Sequence, residues 1–363
     1  MKVGILTFHR AKNYGAVLQC YALQQYIRDL GVEVEVIDYY PAYFKEQDKV
    51  WSLKSLKRKN IKGFVYEIFQ FFLTLPIVLR RRKRFNDFVK RMTLSVRQFS
   101  ESNFSTIGYD VIIVGSDQVW NPTISKGEDK IFAGSFPHSG CMLVAYAAST
   151  MAVHDTKEYE AYFRRIINNF DQVSVREERL NDYLNGLIAG SSICVADPVL
   201  LLEKRVWEEM AIPPNEHDYL LVYTVPEDQR IDLLANMIAN DRQLRVVKIV
   251  ARVKPFRKGY CLQGISPQQF VGYFAYASYV VTTSFHGTAF SLKMERQFST
   301  LMLGGELDER ARSLLNRVGL SDRAIEADAL SLPSEDINYN LANPRIRQYV
   351  SESEQYLKQI LPI

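Results

Sequence analysis

Cysteine is scarce in this chain, and its spacing argues against a metal or iron–sulfur site. The four cysteines are scattered at positions 20, 141, 194 and 261, and none belongs to a CxxC pair. No histidine lies at the spacing that would complete a zinc site. We therefore expect no metal centre. Widely spaced single cysteines are also typical of a reducing compartment.

Several other common signals are missing as well. The sequence has no GxGxxG fingerprint, so nothing in it predicts a dinucleotide, and we expect no cofactor. The first residues enter a strand-like run that is too short for the core of a signal peptide. Internal repeats and low-complexity tracts are also absent. These features predict a cytoplasmic protein.

The composition is that of a globular protein with an uneven charge. The chain has 363 residues, of which 47% are hydrophobic and 24% charged, and this size favours two domains. The net charge is +4, yet residues 49–91 contain thirteen Lys or Arg against two acidic residues. A basic island on an otherwise acidic chain predicts a specific anionic surface rather than general adhesion to anions.

The order of apolar segments predicts an α/β fold. A strand at 2–8, a loop at 9–15, a helix at 16–27 and a strand at 32–38 form a βαβ opening. The run Asp110 to Val114 reads as a strand buried on both faces. The pattern restarts at Asp197-Pro198. We therefore predict an N-terminal domain at 1–200, with a basic helical insert at about 45–100, and a C-terminal domain at 201–363 whose last helix crosses back.

The segment 279–291 carries the strongest signal for a catalytic group. Its β-favouring residues run into a turn of threonine and serine, followed by His286-Gly287 and a stretch of small residues. A strand-to-helix turn places a side chain beside free backbone N–H groups, and a helix N-terminus favours an anion. Ligands of open α/β sheets bind at the carboxyl ends of strands. His286 is either a catalytic residue or a structural histidine that caps its own turn.

Two further polar residues follow predicted buried strands. Asp117, in the Gly-Ser-Asp-Gln motif at 115–118, either binds substrate or caps the next turn. Arg176 follows the strand at 172–175, where a guanidinium can hold a carboxylate or phosphate through paired hydrogen bonds. The alternative for this arginine is an ion pair with Glu177, Glu178 or Asp197.

In combination, these segments resemble the polysaccharide pyruvyl transferase family, and the resemblance spans nearly the whole chain. The matching motifs are Asn13 to Gln19, Gly115 to Asn121, Ser174 to Glu177, Asp197 to Leu200, Ser284 to Gly287 and Arg310 to Leu320. The resemblance implies two Rossmann-like domains arranged as in GT-B glycosyltransferases, with a cleft between them. It also implies transfer of a pyruvyl group from phosphoenolpyruvate to two hydroxyls of a sugar, giving a cyclic ketal.

Roles for single residues follow from the motifs and this chemistry. His286 is the expected proton donor, and Asp117 is expected to orient or deprotonate an acceptor hydroxyl. The expected donor-binding residues are Arg176, Ser284, Gly287, Arg310 and Arg312. The loop residues expected near the cleft are Asn13, Tyr14, Gly15 and Ser116.

The chain departs from the family pattern at Ser284. Members often carry an arginine two residues before the histidine, and a serine supplies no cation to the donor. The candidates to replace that cation are Arg310, Arg312, Arg252 and Lys254.

The basic insert is a separate question. Residues 64–79 are largely apolar and precede five consecutive basic residues at 80–84. With Glu67 and Pro76 inside it, the apolar run falls short of the ~20 residues that span a bilayer. Residues 64–84 are either an interfacial anchor at the membrane periphery or a helix pair packed on the first domain with a solvated basic face. Nucleic acid is not an expected partner, because the basic residues do not interleave with stacking aromatics.

The sequence thus predicts a transferase whose partners are phosphoenolpyruvate and a sugar of a polysaccharide or lipid-linked precursor. The expected location is the cytoplasm, at the inner face of the membrane if the anchor is used. One alternative is a GT-B glycosyltransferase that uses a nucleotide sugar, since the fold alone equally allows it. The other is an inactive relative that only binds glycan.

Overall fold

The computed structural model describes residues 2–47, 61–106, 108–138, 140–150, 157–225, 227–257 and 259–361, which contain two parallel six-stranded sheets. The strands of the first sheet are β1 (Lys2–Leu6), β2 (Glu33–Val36), β3 (Val111–Val114), β4 (Met142–Ala148), β5 (Gln172–Val175) and β6 (Ile193–Cys194). Those of the second are β7 (Tyr219–Thr224), β8 (Arg245–Val250), β9 (Cys261–Leu262), β10 (Tyr279–Thr282), β11 (Gln297–Met302) and β12 (Ala324–Glu326).

Helices flank both sheets, and the predicted α/β class is confirmed. The helices are α1 (Tyr14–Asp29), α2 (Ala42–Gln47), α3 (Ile61–Val89), α4 (Pro122–Ser125), α5 (Lys157–Asn169), α6 (Glu178–Leu187), α7 (Pro198–Leu201), α8 (Lys204–Met210), α9 (Gln229–Arg242), α10 (Pro267–Tyr276), α11 (Phe285–Lys293), α12 (Glu309–Arg317) and α13 (Tyr339–Ile360). Short 3-10 turns lie at Glu101–Asn103 and Ser321–Arg323.

The strand order places a reversal point in each sheet. The first sheet runs β2-β1-β3-β4-β5-β6, and the second runs β12-β11-β10-β7-β8-β9. The order reverses beside β1 in one sheet and beside β7 in the other. Because ligands of open α/β sheets bind at the carboxyl ends of strands at such points, the loops after β1, β3, β7 and β10 are the expected ligand-binding loops.

Local sequence signals explain where several elements begin and end. The four residues of β3 are apolar and all buried, as in a strand covered on both faces. Asn13 caps α1, and Ser266 with Gln269 forms a capping box at the start of α10. Gly31 follows α1 with φ +81, a left-handed conformation that glycine adopts without steric cost.

Within the described part of the basic insert, Ile61–Val89 form one continuous helix, α3, which runs through Pro76. Its C-terminal half buries Phe85 and Phe88. Arg81 donates to the carbonyl of Lys12 at 2.9 Å and to the carbonyl of Ala251, and Arg84 donates to a carbonyl beyond β9. The helix therefore ties the loop after β1 to loops of the second sheet. Residues 48–60 of the predicted insert lie outside the described residues.

The last helix, α13, follows the second sheet but packs against the first. Ala196 N donates to Ser353 Oγ at 2.8 Å, and the rings of Tyr356 and Tyr146 stack with centroids 6.3 Å apart. The C-terminal part of the chain thereby contributes to the core beside β4. Across the described ranges, no helix combines the length and the apolar character needed to cross a membrane.

Candidate active site

The carboxyl ends of the two sheets face each other, and side chains from both meet between them. The guanidinium carbon of Arg176, after β5, lies 4.5 Å from the ring centroid of Phe285 at the start of α11. The amide of Glu178 donates to Ser313 Oγ on α12 at 3.1 Å. The candidate site is therefore assembled from both domains.

His286 lies in the first turn of α11, directly after β10. The turn is held by Thr282, whose hydroxyl accepts from Ser284 N at 3.0 Å and donates to the carbonyl of Tyr223 at 2.7 Å. A Cβ at Gly287 would lie 2.1 Å from that hydroxyl oxygen, so only glycine fits there. His286 is buried, and its Nε2 lies 3.6 Å from Asp197 Oδ2, beyond hydrogen-bond length.

The N-terminus of α1 approaches this histidine from the opposite domain. A Cβ added to Gly15 would lie 2.1 Å from Nδ1 of His286. Asn13 caps the helix by accepting from Ala16 N at 3.4 Å. Tyr14 turns away to the domain interface, where its hydroxyl donates to the carbonyl of Ile265 at 3.2 Å. The loop thus supplies a close backbone surface for the imidazole.

Arg176 is fully buried and forms an ion-pair network. Its Nη1 donates to Asp197 Oδ2 at 2.9 Å, and its Nη2 lies 3.4 Å from Asp117 Oδ1. Burial alone would lower the pKa of Arg176, but the charges of Asp197 and Asp117 outweigh it and raise that pKa above its ordinary value. Burial opposes ionisation of Asp197 too, yet nearby His286 and Arg176 hold its pKa well below the usual range.

Asp117 and Ser116 reach the network from the loop after β3. Asp117 has φ +81, a left-handed conformation that is uncommon for a residue with a side chain and recurs at functional sites. An isolated bridge to Ala148 holds its backbone beside β4. Ser116 Oγ donates to Asp197 Oδ2 at 3.1 Å. This loop therefore places one carboxylate beside Arg176 and supports another.

Arg310 brings a second buried guanidinium from the first turn of α12. The amide of Gln118 lies 3.1 Å from its Nη2, and because a guanidinium only donates, the amide oxygen faces it. Burial, together with the like charge of Arg176, lowers the pKa of Arg310 to about 10, so it stays charged at neutral pH. Of the candidates to replace the cation that is missing at Ser284, the structure brings Arg310 to this cluster.

Glu177 is predicted from the sequence only as a possible ion-pair partner of Arg176. It is buried and accepts a hydrogen bond from Ser149. Burial raises its pKa to about 7, although the charges of Arg176 and Arg310 and the bond from Ser149 oppose the rise. Its position directly after Arg176 at the end of β5 was the available signal. Asp197 was likewise expected only as a possible partner of Arg176, and the structure shows that ion pair, while its place before Pro198 also marks a helix N-cap.

The remaining cation candidates lie elsewhere. Arg312 is half-buried and pairs with Glu326 at 2.8 Å. Lys254 is exposed and pairs with Glu227 at 2.6 Å, and Arg252 is also exposed. These three side chains are not brought to the cluster.

Unpaired polar atoms mark the centre of the site. In the described part of the chain, ten buried side-chain nitrogen or oxygen atoms have no hydrogen-bond partner. Four of the ten belong to this cluster, namely His286 Nε2, Arg176 Nε, Arg310 Nε and Glu177 Oε2. Four unpaired polar atoms gathered at one buried position are donors and acceptors that a bound ligand can satisfy. We refer to these four residues, with Asp117 and Asp197, as the interdomain cluster.

The model of one protein family matches most of the chain. The model of the polysaccharide pyruvyl transferase family matches residues 13–301. The chain belongs to the polysaccharide pyruvyl transferase family. The predicted family is thereby confirmed, and its match includes every member of the interdomain cluster except Arg310. No curated protein sequence matches the chain.

Solved structures with the same GT-B architecture resemble this member of the family. A Listeria monocytogenes protein assigned as UDP-N-acetylglucosamine 2-epimerase is 8% identical, with 100% of this chain and 98% of that one covered and a TM-score of 0.50. The UDP-GlcNAc 2-epimerase of Methanocaldococcus jannaschii is 11% identical, with coverages of 97% and 100% and a TM-score of 0.45. Arabidopsis thaliana UGT89C1 is 11% identical, with coverages of 99% and 91% and a TM-score of 0.44. At these identities the likeness concerns the fold alone.

In the described residues of this pyruvyl transferase family member, no group of three or more His, Cys, Asp or Glu side chains is placed to hold a metal ion. The interdomain cluster instead combines two guanidiniums, an imidazole and three carboxyl groups. Such a set can bind an anion, transfer protons and orient a hydroxyl.

Proposed function

We propose that this transferase moves a pyruvyl group from phosphoenolpyruvate to two hydroxyls of a sugar, in a polysaccharide or its lipid-linked precursor. The products are a cyclic ketal and inorganic phosphate. Family membership supports the class of reaction, and the interdomain cluster supports the donor.

The observation that carries the proposal is the pair of buried guanidiniums, Arg176 and Arg310, which reach one cluster from opposite domains. Each keeps an Nε–H without a partner. Phosphoenolpyruvate presents a carboxylate and a phosphate on the same enol carbon, and a guanidinium stays charged and binds either group. Two cations at one buried position therefore match a small ligand with two anionic ends.

The reaction adds one proton to the methylene carbon of phosphoenolpyruvate and releases phosphate as the leaving group. His286 delivers a proton to the methylene carbon, which leaves an oxocarbenium-like centre at the neighbouring carbon. One sugar hydroxyl adds there, the bond to the phosphate oxygen breaks, and the second hydroxyl closes the ketal. Asp117 accepts a proton from an attacking hydroxyl, and the departing phosphate carries the other. General-acid help of this kind contributes about 10²–10⁴ in rate.

A thermal-shift titration with phosphoenolpyruvate tests donor binding without knowledge of the acceptor. The donor should raise the melting temperature further with each increase in its concentration above Kd, with the stabilisation following RT ln(1 + [donor]/Kd), because it binds only the folded state. Arg310→Ala should abolish this response. Arg312→Ala is the matched control, since that side chain lies two residues away on the same helix but pairs with Glu326.

The same titration separates the alternatives. Stabilisation by a nucleotide sugar, with no response to phosphoenolpyruvate, would identify a glycosyltransferase and refute the proposed donor. A panel of saccharides with phosphoenolpyruvate, followed by release of inorganic phosphate, then tests turnover. Glycan binding by a protein that neither binds the donor nor releases phosphate would identify the inactive relative.

A further inference from the structure

Helix α3 presents a row of exposed apolar side chains on one face. Phe69, Phe72, Leu73 and Leu79 are 53%, 64%, 40% and 47% exposed. Their spacing along a helix places them on one side, and we call them the α3 strip. Phe256, 75% exposed on the loop after β8, extends the strip, because its ring centroid lies 6.5 Å from that of Phe69.

Basic residues continue the same face. Arg80 and Lys83 are exposed, and their helical positions fall on the arc of the strip. In the sequence, residues 49–91 carry thirteen basic residues against two acidic ones. The strip therefore passes from an apolar surface to a cationic one along a single helix, which is the distribution of an interfacial helix on anionic lipid.

Side chains of α3 that flank the strip are engaged with the rest of the protein. Arg81 and Arg84 donate to backbone carbonyls of the second domain, and Ile77 packs near Gly264. These contacts fix which side of the helix faces outward. The strip is exposed because the helix is held in this orientation, and it does not result from a detached helix.

We propose that the α3 strip is a docking surface for an anionic lipid membrane, with α3 parallel to the bilayer plane. The apolar side chains enter between the headgroups, while Arg80 and Lys83 contact lipid phosphates. Large exposed apolar patches rimmed by charge are typical of membrane or protein contacts, and the excess of positive charge selects the anionic surface. Arg81, on the inner face, bonds to the loop that leads to Gly15, so the docked surface borders the interdomain cleft. This proposal goes beyond the pyruvyl transfer and does not depend on it.

Cosedimentation with vesicles tests the proposal in the full-length protein. The wild-type protein should sediment with phosphatidylglycerol–phosphatidylcholine vesicles at low salt, less so as salt rises, and should not sediment with pure phosphatidylcholine. Phe72→Ser/Leu73→Ser and Arg80→Glu/Lys83→Glu should each weaken binding by about tenfold or more.

Two control variants remove an apolar side chain or basic charges from surfaces other than the α3 strip. Leu233→Ser removes a side chain that is 56% exposed on α9, and Arg347→Glu/Lys358→Glu reverses two exposed charges on α13. Both should bind vesicles as the wild-type protein does. Absence of wild-type binding at low salt, or equal loss in the control variants, refutes the docking surface. A dimer in solution that Phe72→Ser/Leu73→Ser converts to a monomer would also refute it, because a second copy would then cover the strip.

Discussion

Gly15 and His286 come from different domains, and a methyl group on Gly15 would lie 2.1 Å from the imidazole Nδ1. The backbone at the start of α1 therefore forms one wall of the histidine's position. Any side chain at residue 15 must push the imidazole away, because the ring and the helix cannot occupy the same space. The contact couples the placement of a candidate proton donor to the packing of the two domains.

Gly15→Ala should lower kcat/KM by about 10²-fold, since a displacement of about 1 Å in a catalytic group costs that much. Steady-state turnover with a saccharide acceptor measures the effect.

His286→Ala should abolish turnover while the far-ultraviolet spectrum stays that of the wild-type protein. Normal turnover in His286→Ala would remove the histidine from the mechanism.

Gly186→Ala is the matched control for Gly15→Ala. Gly186 lies in α6 with nothing within 4 Å of an added Cβ. Alanine should therefore stabilise this helix by about 0.5–1 kcal/mol and leave turnover unchanged. A similar loss of activity in both variants would show that the effect at Gly15 is not a contact with His286.

Arg176→Ala should chiefly destabilise the fold. The change leaves Asp197 and Asp117 buried without their cation, and breaking a buried pair in this way costs about 3–5 kcal/mol. Urea denaturation of the apo protein measures this loss in the free energy of unfolding. Adding Asp197→Asn should recover part of the loss, because it removes one of the buried charges. Wild-type stability in Arg176→Ala would contradict the buried network.

Glu177 should make stability depend on pH. Its pKa is about 7 in the folded protein against an ordinary value of 4.5, so between these values the folded state holds a proton that the unfolded state has lost. Stability should fall as pH rises from 4.5 to 7 and level off above, by about 3 kcal/mol in total. Glu177→Gln should lack this fall in the free energy of unfolding. If the free energy of unfolding changes with pH equally in both proteins, Glu177 is not its source.

The protein should take up a proton when phosphoenolpyruvate binds near neutral pH. A trianionic ligand beside Glu177 disfavours its ionised form and raises its pKa further. Calorimetric titrations with phosphoenolpyruvate, in two buffers of different ionisation enthalpy, measure the protons exchanged. The wild-type protein should take up a fraction of a proton at pH 7.5, and Glu177→Gln should take up less. Equal uptake in both would assign the proton to another group, such as His286.

Long apolar runs made most of the fold predictable. β3, β7 and β10 are buried strands whose side chains are apolar enough to stand out in the sequence. β9 and β12 contain two and three residues, and only their pairing with neighbours defines them as strands. The predicted helix boundaries differ from the observed ones by a few residues, because capping depends on local contacts.

Asp117, Arg176 and His286 follow predicted strands, and their meeting at one edge could be expected from the sequence. Arg310 and Arg312 were both expected at the donor, but residues two apart on a helix point to different sides, and only Arg310 faces the cluster. Tyr14, expected in the loop near the cleft, stacks on Phe270 across the domain interface, with centroids 4.6 Å apart. Such contacts depend on how the two domains meet, which the pattern of one chain does not specify.

The arginines of α3 reach the main chain of their partners rather than their side chains. Arg81 bonds to the carbonyls of Lys12 and Ala251, and a peptide carbonyl is present whatever residue occupies the position. Exchanging the side chain at position 12 or 251 therefore leaves the acceptor in place. Substitutions at these positions can therefore change the side chains at the rim of the cleft, and so accommodate a different sugar, while the two sheets keep their relative position.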